Sequence, residues 1–385
     1  MKRLPSVARP AWPLALLCVG WFSFADTAQA FDTAAREAIL VDFATGSVLL
    51  EKAADQPMPP ASMSKLMTIY MLFERLAECA VSLDDSFNVS EKAWRMGGSK
   101  MFIEVGSSVR VEDLIRGIVV QSGNDACIVV AESLAGSEDA FAQAMTERGR
   151  EIGLIDSSFT NSTGWPDPAN FVTARDLATL TQRIIVDFPE YFHYFAEKTF
   201  TYNEIKQSNR NPLLFKDIGA DGMKTGHTEE AGYGLTATAE RNGRRLILVI
   251  TGLESVRARA SEAERMLGWG FRETKNYTLF ERAEEIETAD VWLGTQATVP
   301  LILPKDLTIT MSRAARKKLE VKVVLDSPVP APIVKGREIA TLVISAPEFT
   351  TIRLPLQAGA DVERLGYFGR VRAALLHTVF GAVGL

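Results

Sequence analysis

The stretch Pro60-Ala61-Ser62-Met63-Ser64-Lys65-Leu66-Met67-Thr68 decides how the rest of the chain is read. From Leu66 to Leu76 apolar residues (Leu66, Met67, Ile69, Tyr70, Leu72, Phe73, Leu76) fall on nearly every helical face, the pattern of a helix buried on most sides. Pro59 and Pro60 cannot lie inside that helix, so its start is predicted near Ser62. Residues three apart project from one helical face, which brings the Ser62 hydroxyl and the Lys65 amine together at the positive end. A hydroxyl beside an amine, where an ammonium is disfavoured, suits an activated nucleophile. Ser62 is the only serine followed by a lysine three residues on. The same tetrapeptide also occurs as an ordinary helix start with a solvated lysine, so its meaning depends on partners elsewhere.

The chain has 385 residues, 47% hydrophobic and 23% charged, enough for two or three domains with a sizeable core. A net charge of −6 gives no general attraction to nucleic acid. The three histidines, His193, His227 and His377, are far apart and no Cys-x-x-Cys occurs, which argues against a metal centre. Lys2, Arg3 and Arg9, the apolar run Ala11 to Ala25 and Ala28-Gln29-Ala30 before Phe31 form an export signal over residues 1–30. Its removal takes three basic residues and one acid, so the net charge falls from −6 to −8. Cys79 and Cys127 remain, either paired or as separate buried thiols.

Ile39 to Phe43 and Ser47 to Leu50 flank Ala44-Thr45-Gly46 as a β-hairpin. Helices are predicted over 111–121, from Asp125 to Ala135 with a stop at Gly136, over 138–152 and from Ala174 to Val186. A glycine-rich loop, Trp94 to Lys100, is a plausible cleft rim. Strands follow at Asp221 to Thr225, Tyr233 to Ala239 and Arg245 to Thr251, the last two joined at Arg241-Asn242-Gly243; Ser255 to Trp269 is again helical. Helices interleaved with mostly antiparallel strands predict an α/β domain over 31–276, with helices packed on a sheet. After about residue 277 helical periodicity disappears and short β-branched runs between turns predict a small all-β domain over 277–358. The tail, 359–385, is apolar with Arg370, Arg372 and His377 embedded. It is too short to span a bilayer and reads as an interfacial amphipathic helix on a membrane surface, or as a segment packed on its own β domain.

Two further motifs follow Ser62-x-x-Lys65 in order: Ser122-Gly123-Asn124 in a turn between two helices, and Lys224-Thr225-Gly226 on a predicted strand. A tripeptide alone carries little, since Ser86-Phe87-Asn88 also matches Ser-x-Asn. The three together, each in fitting context, are the motif set of class A β-lactamases and penicillin-binding proteins.

On these motifs the chain resembles the low-molecular-weight penicillin-binding proteins that are D-alanyl-D-alanine carboxypeptidases. The resemblance extends through Gly97-Gly98-Ser99-Lys100-Met101-Phe102, Gln121 to Ala126, Thr173-Ala174-Arg175-Asp176, Asn209-Arg210-Asn211, Asp221 to Thr228, the β domain and Phe368-Gly369-Arg370. It implies a β-lactamase/transpeptidase-like fold, no cofactor, peptidoglycan stem peptides as substrates and β-lactams as covalent inhibitors. It also implies a place on the periplasmic face of the bacterial inner membrane, with the tail as anchor. Catalytic roles are expected for Ser62, Lys65 and Ser122. Lys65 must be neutral, its pKa lowered by burial, Lys224 and the helix end. Ser122 would bridge the two lysines to the leaving amine. Asn124, Lys224, Thr225 and Gly226 would bind substrate, with the terminal carboxylate at Lys224 and Thr225. The resemblance places the oxyanion hole at the backbone N–H groups of Ser62 and His227. Arg210 and Asp176 read as support residues or as a surface ion pair.

Three other readings stand beside this one. His227 invites a Ser-His-Asp arrangement, against which stands the lysine beside Ser62. A class A β-lactamase needs a glutamate for deacylation, and none lies between Glu151 and Glu190. A non-catalytic wall-binding protein with a relic pocket would have no need of the intact polar set. Endopeptidase action on cross-links stays open from the sequence.

Overall fold

The computed structural model describes residues 31–347 and 349–380, with side chains up to residue 373. The export signal read over 1–30 lies outside the described residues, as does the end of the tail, 381–385.

The site is carried by an antiparallel five-stranded sheet. Its strands are β1 (Glu37–Asp42), β2 (Val48–Lys52), β3 (Ala220–Thr228), β4 (Gly232–Arg241) and β5 (Arg244–Leu253), in the order β2-β1-β5-β4-β3. The predicted Asn242-Gly243 turn has both residues at positive φ (+52° and +75°), as a tight hairpin between right-twisted strands requires. β3 is an edge strand, so one side of its backbone is left free of sheet pairing.

Helices α1 (Lys65–Ala77), α2 (Val111–Val119), α3 (Asn124–Ala135), α4 (Glu138–Glu151), α5 (Ala174–Asp187) and α6 (Val256–Glu273) complete this layer. Leu66 through Leu72 of α1 are all buried, because α1 is surrounded by α2, α3, α4 and α5. Local chemistry sets the ends. Ser137, Thr173 and Ser255 accept the N–H three residues on, and α3 stops at Gly136 in the left-handed region. The main core includes Leu66, Phe73, Ile118, Ile128, Phe141 and Leu180.

The chain then passes from α6 straight into a second, all-β layer. Its strands are β6 (Thr274–Phe280), β7 (Glu285–Trp292), β8 (Thr298–Ile302), β9 (Leu307–Ser312), β10 (Glu320–Val324), β11 (Val329–Pro330), β12 (Glu338–Ala346) and β13 (Phe349–Ala358). Six of them form one sheet in the order β10-β12-β13-β8-β7-β11, while β6 pairs with β9. Leu301, Ile309, Leu342, Ile344 and Leu356 centre a separate core. Polar contacts tie the two layers. Buried Asp42 accepts from Arg244 Nε at 2.7 Å and Asn276 Nδ2 at 3.2 Å, and the hydroxyls of Thr45 and Thr310 are 2.5 Å apart. Helical structure does recur past residue 277: Arg313–Lys317 is a short helix capped by Ser312. β13 escapes the sequence pattern because Pro355 sits inside it, opposite Thr341.

The tail forms α7 (Tyr367–Phe380). Phe368 is 87% exposed, with Tyr367 and Val371 also exposed, so this start of the helix is not packed on the β layer. No helix among the described residues is long and apolar enough to cross a membrane.

Candidate active site

The nucleophile region is a 3₁₀ turn, Ala61–Ser64, that leads into α1. The α-helix itself therefore begins at Lys65, three residues later than Ser62, with Met63 N–H bonded to Pro60 O. The tighter turn still brings the predicted pair together: Lys65 Nζ donates to Ser62 Oγ at 2.8 Å. Lys65 also donates to Thr163 O at 2.6 Å and is 1% exposed. Two glycines let three segments converge here. A Cβ on Gly164 (φ +80°) would stand 1.7 Å from Ala61 O; one on Gly226 would stand 3.1 Å from Ala61 Cβ and 3.2 Å from Met63 Cγ.

On the other wall, Lys224 Nζ of β3 donates to Ser122 Oγ at 2.9 Å and is likewise buried. Ser122 adopts φ +60°, unusual for a side chain with a Cβ, which turns its hydroxyl to β3 ahead of α3. Asn124 opens α3 and donates its Nδ2 to Gly97 O at 2.8 Å, so its amide is held by the predicted cleft rim. Thr225 and Gly226 follow Lys224 along the edge strand.

Burial, first, and Arg210, in addition, bring Lys65 down to about 8 against the pull of Asp125. Lys224 is also held well below its usual value: burial leads, then the positive charges of Lys65 and Arg210. Cys127 on α3 is pushed up to about 12 by burial and stays a neutral thiol; Cys79 is exposed, and both are free.

One expectation needs correction, and two alternatives left beside the main reading drop out. Ser122 Oγ is bonded to Lys224 and not to Lys65, so the bridge between the lysines is half made. His227 is exposed with its ring stacked on Tyr233 at 3.9 Å, which leaves no Ser-His pair. Arg210 and Asp176 do not pair. Arg210 donates to Ser99 Oγ at 2.5 Å, and Asp176 accepts from Ser157 Oγ and Asp156 N–H.

Residues not singled out in the sequence complete the frame. Asp125 is fully buried and accepts the N–H groups of Met101 and Phe102, which anchors the rim. Asn161 Oδ1 accepts from Gly164 and Trp165 N–H at 2.8 and 2.9 Å and so shapes the turn that presents Thr163 O to Lys65. Thr68 Oγ1 donates to Ser162 O, and Glu138 accepts the Ser162 hydroxyl. The turn composition Asn161-Ser162-Thr163-Gly164 was the available signal. Asp125 gave none beyond an acid in a helix's first turn.

An antiparallel sheet covered by helices, with a serine hydroxyl held by a buried amine beside an edge strand, defines a serine peptidase of the Ser-x-x-Lys type. Residues 24–255 match the family D-alanyl-D-alanine carboxypeptidase, and residues 275–364 match penicillin-binding protein 5, C-terminal domain. The chain is 37% identical to the D-alanyl-D-alanine carboxypeptidase DacC of Escherichia coli over 91% of this chain and 90% of that one. It is 36% identical to DacA of Haemophilus influenzae over 89% of each. Among solved structures, penicillin binding protein 5 from Haemophilus influenzae superimposes with a TM-score of 0.78 at 35% identity, covering 87% of this chain and 99% of that one. Penicillin-binding protein D2 from Listeria monocytogenes in its ampicillin-bound form gives 0.58 at 28% identity, over 63% of this chain and 99% of that one. The chain belongs to the D-alanyl-D-alanine carboxypeptidase family.

Proposed function

We propose that Ser62 is the nucleophile that removes the terminal D-alanine from peptidoglycan stem pentapeptides through an acyl-enzyme. The observation that carries this reading is the 2.8 Å hydrogen bond between Lys65 and Ser62, with the Lys65 pKa drawn down to about 8. Neutral Lys65 takes the Ser62 proton as Oγ bonds to the carbonyl carbon of the penultimate D-alanine. The oxyanion is received by the backbone N–H groups of Ser62 and His227, a role worth about 3–4 kcal/mol per donor. As the C–N bond breaks, the proton on Lys65 passes to the leaving D-alanine amine by way of Ser122, whose hydroxyl turns from its Lys224 partner toward Lys65 to receive it. Water then adds to the ester and Ser62 is released.

Lys224 and Thr225 bind the terminal carboxylate and Asn124 donates to a substrate carbonyl, while Gly226 keeps β3 close to the nucleophile turn. β-Lactams, which carry a carboxylate beside a strained amide, acylate Ser62 the same way. Residues 31–276 form the catalytic domain and 277–358 the β domain. Residues 1–30 direct export to the periplasm, and the tail holds the enzyme peripherally at the membrane surface. The exposed Tyr367, Phe368 and Val371 support that last reading.

The test is labelled penicillin and free D-alanine measured on the same samples. Wild type gives a covalent adduct at Ser62 and releases D-alanine from a pentapeptide; Ser62→Ala does neither. D-alanine release without an adduct, or an adduct surviving Ser62→Ala, sinks the assignment.

A further inference from the structure

The six-stranded sheet of the β layer has two edges, β10 and β11, and they are built differently. β11 is two residues long and ends on Pro330, which has no N–H to offer, so little of that edge is open to a further strand. β10, Glu320–Val324, contains neither proline nor glycine. It pairs with β12 through consecutive partners, from Glu320 with Ser345 to Val324 with Thr341, without a bulge. Among the described residues no other strand pairs with it. Such an edge is a template for another strand.

The side chains of β10 fit a further strand as well. Val323 packs against the core of the β layer, and Val321, two residues away on the same face, is 40% exposed. Glu320 and Lys322 share the opposite face and bond to each other at 2.7 Å, with both side chains in solvent. A lone lysine on an edge deters pairing; beside a glutamate it does so only in some registers.

Alternate residues of a strand direct their backbone groups outward, so two copies meeting about a two-fold axis place that axis at one residue of each β10. An axis at Glu320 or at Lys322 sets like charges directly opposite each other. At Val323 it brings Glu320 to Asp326, and at Val324 only one residue of each strand overlaps. At Val321 it sets Glu320 against Lys322 of the second copy twice, and lays Val321 on Val321 where the core is open.

We propose that β10 pairs antiparallel with β10 of a second copy about a two-fold axis at Val321, joining the two six-stranded sheets edge to edge. The matched charges select the register and the valines extend the core across the axis. The strands are short, so the dimer is of the weak, reversible kind.

Analytical ultracentrifugation of the full chain across a concentration series tests it, with reductant present because Cys79 is an exposed free thiol. The wild-type mass should rise with concentration from one chain toward two. Glu320→Lys and Lys322→Glu each set like charges opposite at both contacts and should need at least about tenfold more protein to associate. Their equimolar mixture restores both opposite-charge contacts and should associate like wild type, as should the double variant carrying both changes. That recovery also shows that the single variants are folded. In a Cys79→Ser background, Val321→Cys should link two chains by a disulfide on mild oxidation and Val324→Cys should not, because only position 321 meets its own copy. A wild type that stays at one chain throughout, single variants that associate as readily as wild type, or a mixture no better than its components overturns the proposal. So does a disulfide that forms at 324 and not at 321.

Discussion

The Asp125 carboxylate accepts the Met101 backbone N–H at 2.9 Å through Oδ1, across 24 residues of sequence and with both residues fully buried. A helix's first-turn acid thereby fixes the loop that holds Asn124. Asp125→Ala leaves the buried N–H groups of Met101 and Phe102 without an acceptor, at about 1–3 kcal/mol each. Denaturant unfolding of this variant is expected to show a loss of at least about 2 kcal/mol. An unchanged midpoint and slope would show that the rim is held by something else.

The pH dependence of acylation follows from Lys65. Its pKa of about 8 means that at pH 7 about a tenth of the amine is neutral and able to accept the Ser62 proton. The penicillin acylation rate should climb about tenfold from pH 7 to a plateau above 8. Stability has the matching sign: the folded pKa lies below the ordinary 10.5, so the unfolded chain binds the extra proton. Folding is disfavoured by Lys65 below about 8 and that cost is relieved as pH rises toward 10.5. Lys65→Met removes both effects. A flat acylation profile between pH 6 and 10 contradicts this account.

Lys224 leads to a different measurement. Burial and the cations Lys65 and Arg210 disfavour its charged form in the empty site, whereas a substrate carboxylate would favour it. Binding of a D-Ala-D-Ala peptide to the Ser62→Ala enzyme should therefore take up a proton. Calorimetry in buffers of different ionisation enthalpy reads this directly, as a buffer-dependent heat in the direction of proton uptake. Lys224→Met should abolish the uptake and weaken binding. Binding with no buffer dependence rules out the carboxylate role.

Much of the catalytic layer was legible because its chemistry is local. The apolar run after Ser62, the Asn242-Gly243 turn and the Gly136 stop each act through their own few residues, and each landed close to its predicted place. The three motifs were also visible as residues in order, but not the way they are joined. That Ser122 binds Lys224 rather than Lys65 depends on a left-handed backbone at Ser122, which no neighbouring residue dictates. Thr163 contributes only its carbonyl, and a carbonyl has no side-chain signature. β13 was hidden for another reason: Pro355 reads as a break, yet an antiparallel strand tolerates it where the missing N–H is not needed.

Gly226 tests how closely β3 must approach the nucleophile turn. A methyl group there would press on Ala61, Met63 and Pro60 O at 3.1–3.2 Å. Overpacking of this kind costs about 1–3 kcal/mol, and the relief available is to push the strand away from Ser62. Gly226→Ala should keep the fold, lose about 1–3 kcal/mol of stability and lower acylation by two orders of magnitude or so, as misplaced reacting groups do. Acylation within about twofold of wild type would mean that the strand's distance from Ser62 is not critical.

Ser122 separates backbone strain from hydroxyl chemistry. Its φ of +60° disfavours any residue with a Cβ, and its hydroxyl receives the Lys224 ammonium or amine hydrogen at 2.9 Å. Ser122→Ala and Ser122→Gly both delete the hydroxyl, but only glycine relieves the backbone. The glycine variant should be more stable than the alanine variant by about 1 kcal/mol, the typical cost of such a conformation. Both should lose D-alanine release to a similar extent, since the proton has no relay to the leaving amine. Should Ser122→Gly recover activity along with stability, the residue acts through the shape of the turn and the relay has to be assigned elsewhere.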